Sequence, residues 1–156
     1  MQLSPKQAKG GLLGLAVAGV GYALLSPSEQ TYDHDELLEA AYNAVDAATD
    51  ESVAISSDHG VGNGKGIGSI DGIEGVPDMA VTGFGVPNLL IEVETPDALA
   101  DRTADVIEQI NGFQKQGYKR VLVVPSETTE AAAAVAEEID GDVTVSTPSG
   151  VAELLK

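Results

Sequence analysis

Three acidic residues occupy positions where the surrounding sequence is otherwise apolar. Asp78 opens the segment DMAVT, and Glu92 and Glu94 alternate with apolar residues in LLIEVE. Side chains alternate along a β-strand, so Glu92 and Glu94 face the same side of a sheet, about 7 Å apart. If the two segments pair as a hairpin, Asp78 lies beside them. Three neighbouring carboxylates repel one another unless a divalent cation binds between them, and Mg²⁺ takes such oxygen ligands.

An alternative interpretation is that these acids are solvated, because strand-end acids are common in a chain with 25 Asp and Glu residues. The apolar residues around Glu92 favour the metal site, since an acid within a buried strand needs a partner. A cation bound there would activate a water molecule and stabilise charge on a phosphate oxygen.

The sequence patterns around these acids predict an α/β domain over residues 31–156. Apolar periodicity and capping residues favour helices, and short apolar runs bounded by turn residues favour strands. The alternation of elements predicts a mixed central sheet flanked by helices. The predicted elements are a helix over 35–48, strands over 52–56, 78–82 and 89–94, a long helix over 96–116, a strand over 120–124, a helix over 127–139, a strand over 142–146 and a short helix over 148–155.

Two short motifs within these elements resemble the PD-(D/E)xK nuclease superfamily. Pro77-Asp78 stands at the place of its PD, and Glu92-Val93-Glu94 at the place of its (D/E)xK. The order of predicted elements is similar to the αβββαβ core of that restriction-endonuclease-like fold, with a C-terminal αβα extension. The resemblance covers about 90 residues.

A narrower resemblance is to a group of uncharacterised nuclease-like proteins. It rests on IEVETPDAL at 91–99, on Gln109 followed by Phe113, and on RVLVVP at 120–125. In several branches of the superfamily, a helix glutamine at the place of Gln109 helps to position the active site.

The resemblance implies roles for individual residues. Asp78 and Glu92 would bind Mg²⁺ or Mn²⁺, with the main-chain carbonyl of Val93 near the same ion. Glu94 stands where the family usually has a lysine that orients or activates the water. Some restriction endonucleases carry glutamate there, as a base or as a ligand of a second metal. The implied reaction is phosphodiester hydrolysis, with nucleic acid bound through a metal-bridged phosphate.

The charge balance of the chain constrains its partners and its source. Eight Lys and Arg against 25 Asp and Glu give a net charge of −17, yet 43% of the residues are hydrophobic, which excludes a disordered acidic tail. So few cations argue against nucleic-acid binding through a broad basic surface. The balance predicts a halophilic source, an archaeon or its virus, since the Debye length is only about 3 Å in 1 M salt. The absence of cysteine excludes disulfides and thiolate metal sites. The isolated residues His34 and His59 are predicted to lie on the surface.

The N-terminal 25 residues contain an uncharged segment at 10–25, which follows Lys6 and Lys9. As a helix it is about 24 Å long, and an earlier start lets it cross a hydrocarbon core of about 30 Å. This predicts a single-pass anchor with the N-terminus inside. A cleaved signal peptide and a buried glycine-rich helix are the alternatives. The domain would then belong to a halophilic cell envelope or virion, or to the cytoplasm if the segment is not inserted.

Small residues recur in this segment at every fourth position. Gly10, Gly14 and Ala18 would let a second helix, or a second copy of the chain, approach closely. Residues 26–30 are a polar linker to the domain.

Two functional hypotheses follow from these features. The first is a membrane-tethered, Mg²⁺-dependent nuclease. The second is a non-catalytic, membrane-anchored structural or binding protein, such as an envelope or virion component, that uses the same fold as a scaffold. The glutamate at position 94 and the N-terminal segment motivate the second hypothesis.

Overall fold

The structure of the protein is a computed structural model that describes residues 32–58, 60–61 and 66–156. The predicted membrane segment and linker, within residues 1–30, lie outside these ranges, as does His59, so the predictions for them stay predictions. None of the helices that the structure describes is long and apolar enough to cross a bilayer.

The helices and strands of the described chain follow the predicted α/β order. The strand boundaries differ from those predicted by one or two residues. Two 3₁₀ helices, at Ser126–Thr128 and Ser149–Leu155, complete the secondary structure of the described ranges. The longer elements are α1 (His34–Ala48), β1 (Val53–Ser57), β2 (Met79–Gly83), β3 (Asn88–Val93), α2 (Pro96–Asp101), α3 (Thr103–Gly112), β4 (Tyr118–Val123), α4 (Thr129–Ala136) and β5 (Val143–Ser146).

Five strands, all within the described ranges, form one mixed sheet in the order β1-β2-β3-β4-β5. Strand β2 is antiparallel to both of its neighbours, β1 and β3, whereas β3, β4 and β5 are parallel. The predicted hairpin of β2 and β3 is confirmed, with Met79 opposite Ile91. The parallel strands β3 and β4 are largely buried, as their apolar runs require.

Apolar side chains cover both faces of this sheet, and each face has its own helices. Helix α1 and the C-terminal 3₁₀ helix pack on one face, and α2, α3 and α4 pack on the other. The core of the first face includes Leu37, Leu38, Val45, Ile91 and Val151. The core of the second face includes Leu99, Ile110, Leu122, Ala132 and Val135.

The predicted continuous helix over 96–116 is wrong, because two helices meet at Arg102. Arg102 has φ −125° and ψ 38°, which lie outside the α-helical region. The hydroxyl of Thr103 donates a hydrogen bond of 2.6 Å to the carbonyl of Leu99. Threonine hydroxyls that bond to the preceding helical turn tend to bend a helix. The break at Arg102 therefore has a local cause, and it directs this side chain towards the carboxyl end of β3.

Two other predicted helices are shorter or tighter than expected. The helix predicted over 127–139 consists of the 3₁₀ turn and α4, which ends at Ala136. Beyond it the chain turns through Gly141, whose φ of +80° is readily available only to glycine. The last predicted helix is entirely 3₁₀.

Candidate active site

A cavity of about 510 Å³ opens where the start of β2 meets the end of β3. Continuing the register of Met79 with Ile91 by one position places Asp78 opposite Glu92. Both side chains line the cavity and are nearly buried, with 8% and 2% of their surface exposed. The hairpin therefore brings together two of the three carboxyl groups that the sequence predicts to converge.

Asp78 is held in place by the main chain of β3. Its Oδ2 accepts a hydrogen bond of 2.9 Å from the amide N–H of Val93. Val93 thus takes part in the site through its amide, whereas the resemblance implied its carbonyl.

Glu92 is held by the helix that packs on the same face of the sheet. The side-chain amide of Gln109, on α3, donates to Glu92 Oε1 at 2.7 Å and to Oε2 at 3.1 Å. Glu92 and Gln109 come together because α3 packs through Val106 and Ile110 against the core of this face. The predicted partnership of Gln109 with the acidic cluster is therefore present in the structure as a direct contact.

Glu94 lies directly beyond β3, at the junction with α2. Thr95 caps α2, its hydroxyl accepting from the amide of Ala98 at 3.1 Å, and Pro96 begins the helix. The carboxylate of Glu94 is 6% exposed and lies 3.7 Å from the guanidinium of Arg102, which is 57% exposed. Helix α2 begins at Pro96, just after Glu94, and ends before Arg102. These positions place the ion pair at the wall of the cavity.

The predicted surface position of His34 is confirmed in part, because 31% of its side chain is exposed, but the residue also lines the cavity. It is the first residue of α1. Asp33 caps this helix, and its carboxylate accepts hydrogen bonds from the amides of Asp35 and Glu36. The Nε2 of His34 lies 3.1 Å from Asp78 Oδ2, and its Nδ1 lies 3.1 Å from Asp35 Oδ1. The sequence signal was the Asp33-His34-Asp35 tripeptide at a helix start, but only the docking of α1 reveals its proximity to Asp78.

The pKa values of three side chains in the cavity are raised, by burial or by neighbouring groups. Burial, followed by the charges of Asp78 and Glu94, raises the pKa of Glu92 well above its ordinary value. Burial also raises the pKa of Glu94 to about 7, although the charge of Arg102 opposes the shift. The hydrogen bond to Asp78 raises the pKa of His34 to about 9. The crowding of acids in a poorly solvated place therefore favours the protonated forms of Glu92 and Glu94.

The donor set of the cavity fits a hard cation by its chemistry, with carboxylate and carbonyl oxygens and no sulfur. The described residues contain no group of three or more His, Asp or Glu side chains already arranged around a common metal position. Mg²⁺ commonly needs only one or two carboxylates, because waters and substrate phosphate complete its shell. Asp78 and Glu92, which lie opposite each other in the hairpin and line the same cavity, meet that smaller requirement.

Comparison of the chain with protein-family models, with curated proteins and with solved structures finds no match.

Proposed function

We propose that the protein is a metal-dependent phosphodiester hydrolase of the PD-(D/E)xK kind, with a restriction-endonuclease-like core. The observation that carries the proposal is the convergence of Asp78 and Glu92 in one cavity, with Gln109 bonded to Glu92. The αβββαβ order and the two predicted motifs support it. Two buried carboxyl groups in contact cost stability without a shared partner, and such an arrangement is typical of functional sites.

The residues of the cavity would divide the reaction among them. Asp78, Glu92 and the carbonyl of Val93 would hold Mg²⁺ or Mn²⁺, which supplies Lewis-acid stabilisation of charge on the phosphate. Glu94 accepts a hydrogen bond from the attacking water and takes its proton. The water oxygen bonds to phosphorus, the ester P–O bond breaks, and the leaving oxygen takes a proton from solvent. Gln109 keeps Glu92 oriented, and His34 does the same for Asp78.

The proposed setting follows the composition of the chain. We infer a halophilic archaeon or its virus, because the net charge of −17 is tolerable where salt screens it. We infer tethering through residues 10–25 with the N-terminus inside, in an envelope or virion. Nucleic acid would then be bound through a metal-bridged phosphate, with little help from surface cations.

The test is cleavage of labelled DNA and RNA by the purified full chain in molar KCl with Mg²⁺. Asp78→Asn should lower the rate by about 10³-fold or more, because it removes a negatively charged ligand. Asp46→Asn is the matched control, since Asp46 is exposed on α1, about 18 Å along the helix from His34. Equal cleavage by the wild type and Asp78→Asn would contradict the proposal.

A second candidate is a non-catalytic anchored protein that uses this fold as a scaffold. Two observations favour it: Glu94 at the place of the usual lysine, and the lack of a ready-made metal cluster among the described residues. A chain that cleaves neither DNA nor RNA and binds no Mg²⁺ at millimolar concentration would support this candidate.

A further inference from the structure

Half of the residues that line the candidate active site are acids, although its proposed substrate is an anion. A phosphodiester carries a negative charge, so carboxylates around it oppose its approach unless a cationic group faces it. The acids that line the cavity are Asp33, Asp35, Asp78, Glu92 and Glu94.

Of the lysines and arginines that the structure describes, Arg102 alone lines this cavity. Lys119 is exposed at the start of β4. The other described cations donate hydrogen bonds elsewhere. Lys115 donates to the carbonyl of Asp71, and Lys156 donates to the carboxylate of Glu153. Arg120 donates to the carbonyls of Ile110, Asp140 and Asp142.

His34 is also in the cavity, but its geometry does not suit it to bind substrate. Both of its ring nitrogens lie 3.1 Å from carboxylate oxygens, those of Asp35 and Asp78. A phosphate oxygen would have to displace one of these partners.

Arg102 is held on one side and open on the other. Its Nη2 lies 3.7 Å from the buried carboxylate of Glu94, while 57% of the side chain is exposed. The hydroxyl of Thr103 stabilises the helix break that places the residue here. A guanidinium has five N–H donors in a rigid plane, so one edge can approach a carboxylate while another binds two oxygens of a phosphate.

We propose that Arg102 binds the substrate phosphodiester, donating two hydrogen bonds to its non-bridging oxygens while Glu94 holds the guanidinium in place. The proposal rests on the proposed function and adds the group that recognises the anion. It assigns Glu94 a second role as the anchor of this arginine. It also explains how a cavity so rich in acids accepts a phosphate.

Chemical labelling tests the contact directly, because the chain contains only two arginines. Phenylglyoxal should modify Arg102 and spare Arg120, which is 6% exposed and bonded to three carbonyls. A phosphorothioate oligonucleotide that resists cleavage, added with Mg²⁺, should slow the labelling of Arg102 several-fold, as read by peptide mass spectrometry. Labelling at an unchanged rate would overturn the proposal.

Kinetics of full-chain variants provide the second test. Arg102→Ala should lower kcat/KM by about 100-fold, in the range for losing one charged donor at a reacting phosphate. Arg102→Lys should recover only part of this, because lysine keeps the charge but lacks the planar fork. Methylguanidine should partly rescue Arg102→Ala. Lys119→Gln, which removes an exposed charge at the start of β4, is the matched control.

The outcomes separate this proposal from the proposed function. If the wild type cleaves and Arg102→Ala cleaves equally well, Arg102 does not bind the phosphate and the hydrolase assignment stands. If Arg102→Lys is fully active and the oligonucleotide does not protect Arg102, the residue acts only by positioning Glu94. A wild type that cleaves no substrate contradicts both proposals.

Discussion

The protein buries ionisable side chains in two places, and their partners differ in the two places. In β4, Arg120 is 6% exposed and donates hydrogen bonds to the carbonyls of Ile110, Asp140 and Asp142. In the cavity, Glu92 is 2% exposed and faces a second acid, Asp78, and both burial and this neighbour raise the pKa of Glu92. Helix α3 serves both, since Gln109 bonds to Glu92 and the next residue, Ile110, accepts from Arg120.

The difference separates a structural role from a functional one. The guanidinium of Arg120 joins the end of α3 to the turn before β5 through main-chain oxygens, and the charges of Asp140 and Asp142 lie nearby. The carboxyl groups of Asp78 and Glu92 also have partners, the amide of Val93 and His34 for Asp78 and Gln109 for Glu92, but they face each other across the hairpin. A buried charge that is fully bonded supports the fold, whereas a buried cluster of like charges is suited to bind a cation.

The largest effect on the free energy of unfolding is expected for Arg120→Gln. The shorter, neutral side chain leaves buried carbonyls without donors, which should lower the free energy of unfolding by about 3 kcal/mol. Chemical denaturation of the full chain measures this. The neighbouring exposed Lys119→Gln should change it by less than about 0.5 kcal/mol. Equal stability of the two variants would show that Arg120 has no structural role.

A smaller effect, on the rate of cleavage, is expected for Gln109→Ala, which tests the contact between α3 and the cavity. Loss of the two hydrogen bonds to Glu92 should lower cleavage by about 10- to 100-fold, as for other groups that orient metal ligands. Gln116→Ala, an exposed glutamine beyond α3, is the control. A Gln109→Ala variant with wild-type activity would show that α3 does not orient Glu92 for the reaction.

The smallest effect is expected for Gly141→Ala, which perturbs the surroundings of Arg120 without changing charge. Gly141 has φ +80°, and an added Cβ would lie 2.9 Å from Nη2 of Arg120. Strain of this kind should cost about 1 to 2 kcal/mol of stability and leave cleavage below the unfolding transition unchanged. Thermal unfolding and an activity assay at low temperature measure the two quantities. A parallel loss of activity at that temperature would mean that the two regions are coupled.

The order of the strands and the acidic cluster could be predicted because both depend on local pattern. The apolar run LLIEVE marks a buried strand, so Glu92 within it is conspicuous. The alternation of side chains then places Glu94 beside it. The pairing of Asp78 with Glu92 follows from the hairpin register, which a short turn restricts.

The remaining features depend on tertiary contacts that no local pattern reports. His34 faces Asp78 only because α1 packs on the sheet with its first turn at the end of β3. The break at Arg102 is an exception, since it accompanies a local hydrogen bond from the hydroxyl of Thr103 to the carbonyl of Leu99 that the apolar periodicity does not reveal. Arg120 was predicted as part of a buried strand, but its partners lie on segments 10 to 22 residues away.

The central claim is that the carboxyl groups of Asp78 and Glu92 form a divalent-cation site. Calorimetric titration of Mn²⁺ into the full chain in molar KCl tests it most directly, because the salt screens the acidic surface. We expect one saturable site per chain in the wild type and in Asp46→Asn, and none in Glu92→Gln. Identical heats for the wild type and Glu92→Gln would contradict it.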